Sequence, residues 1–278
     1  RAARAKLHVL CEKPLSSSVG AARALIAECK KRRVVLGAML QQRTRPEMET
    51  LRKWVHGGRI GEVYRVEMIV SRWFRTQAYY DSGAWRGTWD GEGGGVLINQ
   101  APHSLDLFQW VGLGLPKQVI AMLATREHKI EVEDTANILL DYGDGRHGYI
   151  YTSTAHEPGA DRVSVFGDEG CLVAEGEVLR HGKLKHTVRE HIYSSKVADA
   201  VTSSTMKQDC TWRDVPLGKR KFGGHIAVIE RFAAHLRRGK DLIATGAEAI
   251  NELEISNAAY LSGFTHKPVS VPVDAAAM

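Results

Sequence analysis

The sequence predicts an α/β protein in two unequal parts: one strand–helix–strand unit, then an α+β domain with a large, mostly antiparallel open sheet. Three observations carry this. Residues 8 to 39 read strand, helix, strand. The second strand, Val34-Val35-Leu36-Gly37-Ala38-Met39, is apolar throughout, as in a parallel sheet buried on both faces. Strand-like segments near Lys117–Thr125, Thr135–Tyr142, Gly148–Ala155, Arg162–Phe166 and Cys171–Ala174 then follow one another without an intervening helix, which is the pattern of antiparallel pairing.

Taken in order, His8-Val9-Leu10-Cys11 is a short strand that ends at Glu12-Lys13-Pro14. Ser16 to Ser18 offer N-caps for a helix from Val19 to Arg33, whose apolar stripe is Leu25, Ile26 and Cys29. Lys30-Lys31-Arg32-Arg33 falls where a helix dipole favours cations. Ligands of open α/β sheets bind beyond the carboxyl ends of strands, and Lys13 and Gln41-Gln42-Arg43 sit at such ends.

Pro46 opens a helix to about His56, and Gly57-Gly58 stops it. Glu62 to Arg72 alternates as a half-buried strand. Residues 73 to 92 read as a long loop holding Trp73, Phe74, Tyr79, Tyr80, Trp85, Arg86 and Trp89. Aromatic rings with a few polar groups suit the C–H faces of a sugar-like ligand; a loop docked by its own aromatics explains the same residues. Gly93-Gly94-Gly95 should open a helix carrying Asn99 and His103 four apart on one face, with Asp106 close by. A glycine turn before an ordinary buried helix is the competing reading.

Gly143-Asp144-Gly145 is a hairpin signal. Residues 176 to 215 read as polar and irregular, and His181, His186 and His191, five apart, share no helical face, so no metal site is expected. Phe222 to Arg238 and Ala247 to Gly263 are amphipathic helices, the second capped by Thr245 with Glu248 three on. Val269 and Val271 close the chain as a short strand.

Composition narrows the function classes. The 278 residues are 44% hydrophobic and 25% charged, with a formal net charge of +6. That balance permits anionic ligands such as dinucleotides, but no aromatic-interleaved basic stripe points to nucleic acid. No window is apolar for long enough to span a membrane. Cys11, Cys29, Cys171 and Cys210 are scattered, which suggests reduced thiols and the cytoplasm.

Five landmarks in order resemble one family. They are Cys11-Glu12-Lys13-Pro14, Gly57 to Val63, Trp85-Arg86-Gly87-Thr88-Trp89, the Gly93 to Asp106 stretch, and Thr245 to Ala249. Together they are similar to the glucose–fructose oxidoreductase / inositol dehydrogenase (Gfo/Idh/MocA) family. The resemblance implies that residues 1–43 are the end of a Rossmann-type dinucleotide-binding domain and 44–278 a substrate-binding and oligomerisation domain. It departs first in that no G-x-G-x-x-G lies between a strand and a helix anywhere in the sequence. The expectation is a fragment of a longer protein that alone binds dinucleotide poorly and is inactive.

The resemblance further implies oxidation of a secondary alcohol on a carbohydrate or polyol, with NAD or NADP as cofactor, in a homo-oligomer (dimer or tetramer) joined through the C-terminal sheet. Carried over residue by residue, Lys13 would bind the reacting hydroxyl and His103 would be the general acid/base. Glu12, Lys13, Pro14, Gln42 and Arg86 would lie near the cofactor, and Tyr80 and Trp85 would wall the substrate. Asn99 stands where many members carry Asp; it cannot take a proton, so it would orient substrate. Two alternatives remain: a non-catalytic ligand-binding or oligomerisation module, or a cofactor-assisted sugar lyase or hydrolase.

Overall fold

The computed structural model describes residues 1–196, 207–218 and 223–277. β1 (Val9–Cys11) and β2 (Leu36–Ala38) pair in parallel, with Val9 opposite Leu36 and Cys11 opposite Ala38. Between them runs α1 (Val19–Arg32), capped by the Ser18 hydroxyl, which accepts from the Ala21 N–H. All three residues of β2 are buried, as its continuous apolar run requires. A 3-10 turn over Gln41–Thr44 leads into α2 (Pro46–His56), with the proline at its first turn.

The second part is a nine-stranded sheet. Its strands are β3 (Val63–Val70), β4 (Gln118–Ala124), β5 (Thr135–Asp141), β6 (His147–Ser153), β7 (Asp161–Gly167), β8 (Gly170–Glu175), β9 (Val178–Leu184), β10 (Cys210–Asp214) and β11 (Val269–Ser270). Their spatial order is β10-β9-β8-β7-β3-β6-β5-β4-β11. Every neighbouring pair is antiparallel except β3 and β6, where Val66 lies opposite Gly148. The stretch 176 to 215 is not irregular: it holds β9 and β10. β10 is exposed at every position and edges the sheet, so it has no buried face to impose alternation on its sequence.

The remaining helices are α3 (Gln77–Asp81), α4 (Trp89–Glu92), α5 (Pro102–Val111), α6 (Val188–Ser194), α7 (Gly224–Arg238), α8 (Gly246–Ala249) and α9 (Asn251–Thr265). The aromatic stretch 73 to 92 is therefore broken by two short helices, each N-capped by a threonine, Thr76 and Thr88. The final helical segment is two pieces, and Thr245 forms its capping box with Glu248 on the first. α9 is not amphipathic: residues from Glu252 to Tyr260 are all buried. It packs between β4, α5 and α1, so no side of it faces water along this run.

α2, α5 and α9 cover one face of the sheet with Leu51, Leu105, Phe108, Leu253 and Ile255, against Val66, Met68, Ile138, Ile150 and Leu172. α9 also anchors the βαβ unit. Asn257 accepts from the Val19 N–H at 2.9 Å and donates to the Ser17 carbonyl at 3.2 Å. The segment just after Lys13-Pro14 is thereby fixed to the second part. Among the described residues no helix is long and apolar enough to cross a membrane.

Candidate functional site

Lys13 leaves the end of β1, and its peptide bond to Pro14 is cis. Its Nζ donates to the main-chain carbonyl of Asn99 at 2.8 Å. Burial lowers the Lys13 pKa, while the carboxylates of Glu252, Glu12 and Glu92 oppose the shift. Glu12 itself is exposed and accepts from the Lys13 main-chain N–H at 3.3 Å.

The glycine stretch does not open the helix at Gly93–Gly95. α5 begins only at Pro102, so Asn99 lies in the preceding turn and not on a helical face with His103. The reason is a buried carboxylate. Glu133 accepts from the Gly95 N–H at 3.1 Å and from the Leu97 N–H at 2.9 Å, and its carbonyl takes the Val96 N–H at 3.0 Å. Tyr260 Oη donates to the same carboxylate at 2.8 Å. A Cβ at Gly95 would lie 1.9 Å from the Glu133 carbonyl, and one at Gly94 would lie 2.2 Å from Tyr260 Oη. These glycines admit groups of the chain itself, not a ligand. Burial pushes the Glu133 pKa up to about 7, against the donors that surround it.

His103 occupies the first turn of α5, with Nε2 3.1 Å from Gln41 Nε2 and Nδ1 buried without a partner. Burial, with the nearby cations Lys13 and His225, lowers its pKa to about 4, so the ring is neutral at physiological pH. The partner is Gln41; Gln42 instead lines a cavity with His103, Gln100, Trp73 and Met68, and its Oε1 lies 3.5 Å from Arg45. The sequence places Gln41, Gln42 and Arg43 alike at a strand end, and only the 3-10 turn decides which faces the imidazole.

Asp106, one turn beyond His103, has a different surrounding. Its two oxygens accept from Arg43 Nε at 2.8 Å and Nη2 at 2.6 Å, both residues are 1% exposed, and Arg43 also reaches Glu248 at 3.1 Å. A second cavity, of about 330 Å³, lies on the other side of Lys13 and is lined by Pro14, Ser17, Trp85, Glu92 and Asn99. Arg86 donates to Tyr79 Oη at 2.6 Å and lies over the Tyr79 and Trp85 rings at 4.3 and 4.2 Å. Tyr80 is not a cavity wall: it is 4% exposed, and its hydroxyl is 3.0 Å from Thr154 Oγ1.

Sequence reasoning singled out His103 but missed the unpartnered groups that gather round it. Gln41 Oε1, both amide atoms of Gln100, Glu92 Oε1, His103 Nδ1 and both carboxylate oxygens of Glu252 are buried with no hydrogen-bond partner among the described residues. Burial raises the pKa of Glu92, and that of Glu252 well above its ordinary value. Folded proteins leave few such groups, because each costs about 1–3 kcal/mol. Here they gather around Lys13 and His103.

Two family models match the chain. Residues 1–39 match the oxidoreductase family, NAD-binding Rossmann fold, and residues 48–173 match the GFO/IDH/MocA C-terminal domain. Among curated relatives, myo-inositol 2-dehydrogenase of Thermotoga maritima is 28% identical over 62% of this chain and 51% of its own length. Trans-1,2-dihydrobenzene-1,2-diol dehydrogenase of mouse is 31% identical over 64% of this chain and 52% of its own. The chain spans about half the length of these relatives or less. WlbA dehydrogenase from Bordetella pertussis, solved with NADH and UDP-GlcNAcA, superposes with a TM-score of 0.76 at 26% identity, over 98% of this chain and 74% of that one. Aldose-aldose oxidoreductase from Caulobacter crescentus, solved with glycerol, shares the fold at a TM-score of 0.78 and 21% identity, over 97% of this chain and 74% of that one.

Proposed function

The chain belongs to the Gfo/Idh/MocA oxidoreductase family, and we propose that it carries the substrate site of an NAD(P)-dependent dehydrogenase acting on a secondary alcohol of a sugar, polyol or related small molecule. The observation that carries this reading is the gathering of unpartnered buried polar groups around Lys13 and His103, between two cavities. Residues 1–43 are then the end of the dinucleotide-binding domain, and 44–278 the substrate and oligomerisation domain.

The residues fit the nicotinamide end of the cofactor. Lys13, Pro14 and Asn99 line the cavity that would hold it, beside the unpartnered Glu92 oxygen. When bound, NAD(P) supplies the hydride acceptor. The one G-x-G-x-x-G, Gly143 to Gly148, lies in the β5–β6 hairpin and opens no helix that could cradle phosphates, so the chain alone is expected to bind dinucleotide weakly.

The chain's own groups handle the proton. Lys13 Nζ, anchored on the Asn99 carbonyl, keeps two N–H donors for the substrate oxygen and stabilises negative charge there. His103 is neutral and takes the hydroxyl proton. Gln41 Nε2 stands 3.1 Å from the ring Nε2 and can only donate there, which leaves the ring proton on Nδ1; the basic lone pair is on Nε2, and the substrate hydroxyl takes the place of the Gln41 amide to reach it. Asn99 offers only hydrogen bonds.

The outer face of the sheet supports assembly. Ile120 and Met122 on β4 and Leu139 on β5 are 46%, 75% and 56% exposed on a contiguous antiparallel pair, an apolar surface suited to a second copy. Four free cysteines accord with a reducing, cytoplasmic setting.

In the coenzyme-binding form of the protein, His103→Ala should lower the rate of hydride transfer, read at 340 nm as reduced cofactor, by about 100-fold or more. Asn99→Ala should lower it far less. Hydride transfer undiminished in His103→Ala would remove the assigned base.

A further inference from the structure

The cavity beside His103 does not end there. It shares Arg45, Trp73 and Asp161 with a larger chamber of about 620 Å³, whose wall adds Arg72, Glu177 and Leu217. The two spaces form one path from the imidazole outward, past the end of β3, the start of β7 and the β8–β9 turn. The cavity at His103 is only about 50 Å³, room for a hydroxyl and its carbon but not for a ring, so a reacting ring stands at its mouth, and the outer chamber is larger than one ring fills.

The chemistry of its wall is specific. Trp73 is 48% exposed and offers an aromatic face, on which the C–H side of a pyranose stacks. Arg45 is already engaged: it pairs with Glu47, donates to the Gly176 carbonyl at 2.7 Å and lies 3.8 Å from Asp161. Arg72 has no ion pair among the described residues. Among the described residues of the wall, carboxylates outnumber guanidinium groups: Glu47, Asp161 and Glu177 face Arg45 and Arg72. Carboxylate acceptors beside guanidinium donors match vicinal hydroxyls, each of which donates and accepts. The same excess of negative charge opposes a phosphate or pyrophosphate.

We propose that the outer chamber is a subsite for a second, uncharged glycosyl unit, so that the substrate is a neutral glycoside rather than a free monosaccharide or a sugar nucleotide. This rests on the reading of the His103 region as an alcohol-oxidising site. The reacting ring stands at the mouth of the His103 cavity with its hydroxyl turned inward, and the second ring stacks on Trp73 with its hydroxyls between Arg72 and Glu177.

Calorimetric titration of the full chain with glucose, galactose, maltose, lactose and UDP-glucose tests it. At least one disaccharide should bind about ten-fold or more tightly than its own monosaccharide. Leu217→Trp, which puts an indole across the outer chamber, should abolish that gain and leave monosaccharide affinity within about two-fold. Arg72→Ala, on an exposed side chain that folding does not need, should reduce the gain in the same way. Equal affinity for disaccharide and monosaccharide, tighter binding of UDP-glucose, or a gain untouched by both substitutions overturns the subsite while the dehydrogenase reading stands. Binding of none of the sugars overturns the subsite as well, while the dehydrogenase reading falls only if hydride transfer is undiminished in His103→Ala.

Discussion

Helix α5 carries two polar side chains one turn apart with opposite surroundings, the half-buried His103 and the buried Asp106. Asp106 is paired on every side: Arg43 grips both its oxygens, Gln109 adds a donor at 3.2 Å, and Glu248 balances the remaining guanidinium edge. His103 has one contact, to Gln41, and its other nitrogen has none; Gln100, Glu92 and Glu252 nearby are in the same condition. A buried charge that is fully paired holds structure together. Buried groups left unpaired lower stability and persist where a ligand completes them. One helix thus carries a structural clamp and, one turn earlier, the wall of a site.

The largest effect should come from breaking the clamp. Arg43→Met leaves the Asp106 carboxylate buried at 1% exposure with no cation, and removal of one partner of such a pair costs about 3–5 kcal/mol. Urea unfolding should show the midpoint fall accordingly. A loss below about 1 kcal/mol, in the range of an exposed pair, would erase the contrast between the two turns of α5.

Two groups of this region, the unpaired His103 and the hydrogen-bonded Glu133, should announce themselves through pH, by about 3 kcal/mol each and with opposite signs. The His103 ring titrates from 6.5 in an ordinary setting to about 4 in the fold. As pH falls, protons bind the unfolded chain first, so the stability owed to the neutral ring is complete above pH 6.5 and is lost toward pH 4. Glu133 runs the other way, from 4.5 to about 7. Its contribution is complete below pH 4.5 and is lost as pH rises through 7. The two trends offset one another between about pH 4.5 and 6.5. Relative to the parent, His103→Gln should therefore lose stability with rising pH, and Glu133→Gln should lose it with falling pH. Difference curves of the same sign would break the assignment.

Replacing Glu133 by Ala has a further consequence. It leaves the Leu97 N–H and the Tyr260 hydroxyl without their acceptor, and the Gly95 N–H with Tyr260 Oη alone, at a cost of about 2 kcal/mol. Hydrogen exchange at Gly95 and Leu97 should accelerate in Glu133→Ala, while amides of β7 and β8 keep their protection. Uniform acceleration across the sheet would make Glu133 an ordinary core residue rather than the group that holds this turn.

Regularities of period two and 3.6 were legible in the sequence: β2, the hairpin at Gly143–Gly145 and strands β4 to β8 all bury one face or both. β10 escaped because an exposed edge strand has no inward face to write into its residues. Lys13 and His103 were legible because a motif and a strand end pointed to them. The turn before Pro102 was not, because helical spacing continues through Asn99 while a glutamate more than thirty residues away takes the N–H groups that a helix would use. The choice between Gln41 and Gln42 depends on the rotation of one 3-10 turn, which residue type does not encode. Unpaired polar groups are invisible to sequence, since pairing belongs to three dimensions.

The smallest effect is expected at Asn99, and it probes the site from the other end. Lys13 is held by the Asn99 carbonyl, a main-chain atom that every residue supplies. Asn99→Ala should therefore leave the Lys13 amine where it is, change stability by no more than about 0.5 kcal/mol, and leave its reactivity toward an acylating reagent close to that of the parent. Asn99→Asp should do more than Asn99→Ala. A carboxylate beside the ammonium favours the charged form, so the amine should lose protons at higher pH and acylate more slowly at neutral pH. Competitive labelling followed by mass spectrometry of the Lys13 peptide measures both. If Asn99→Ala shifts the amine as strongly as Asn99→Asp does, the side chain and not the carbonyl governs Lys13.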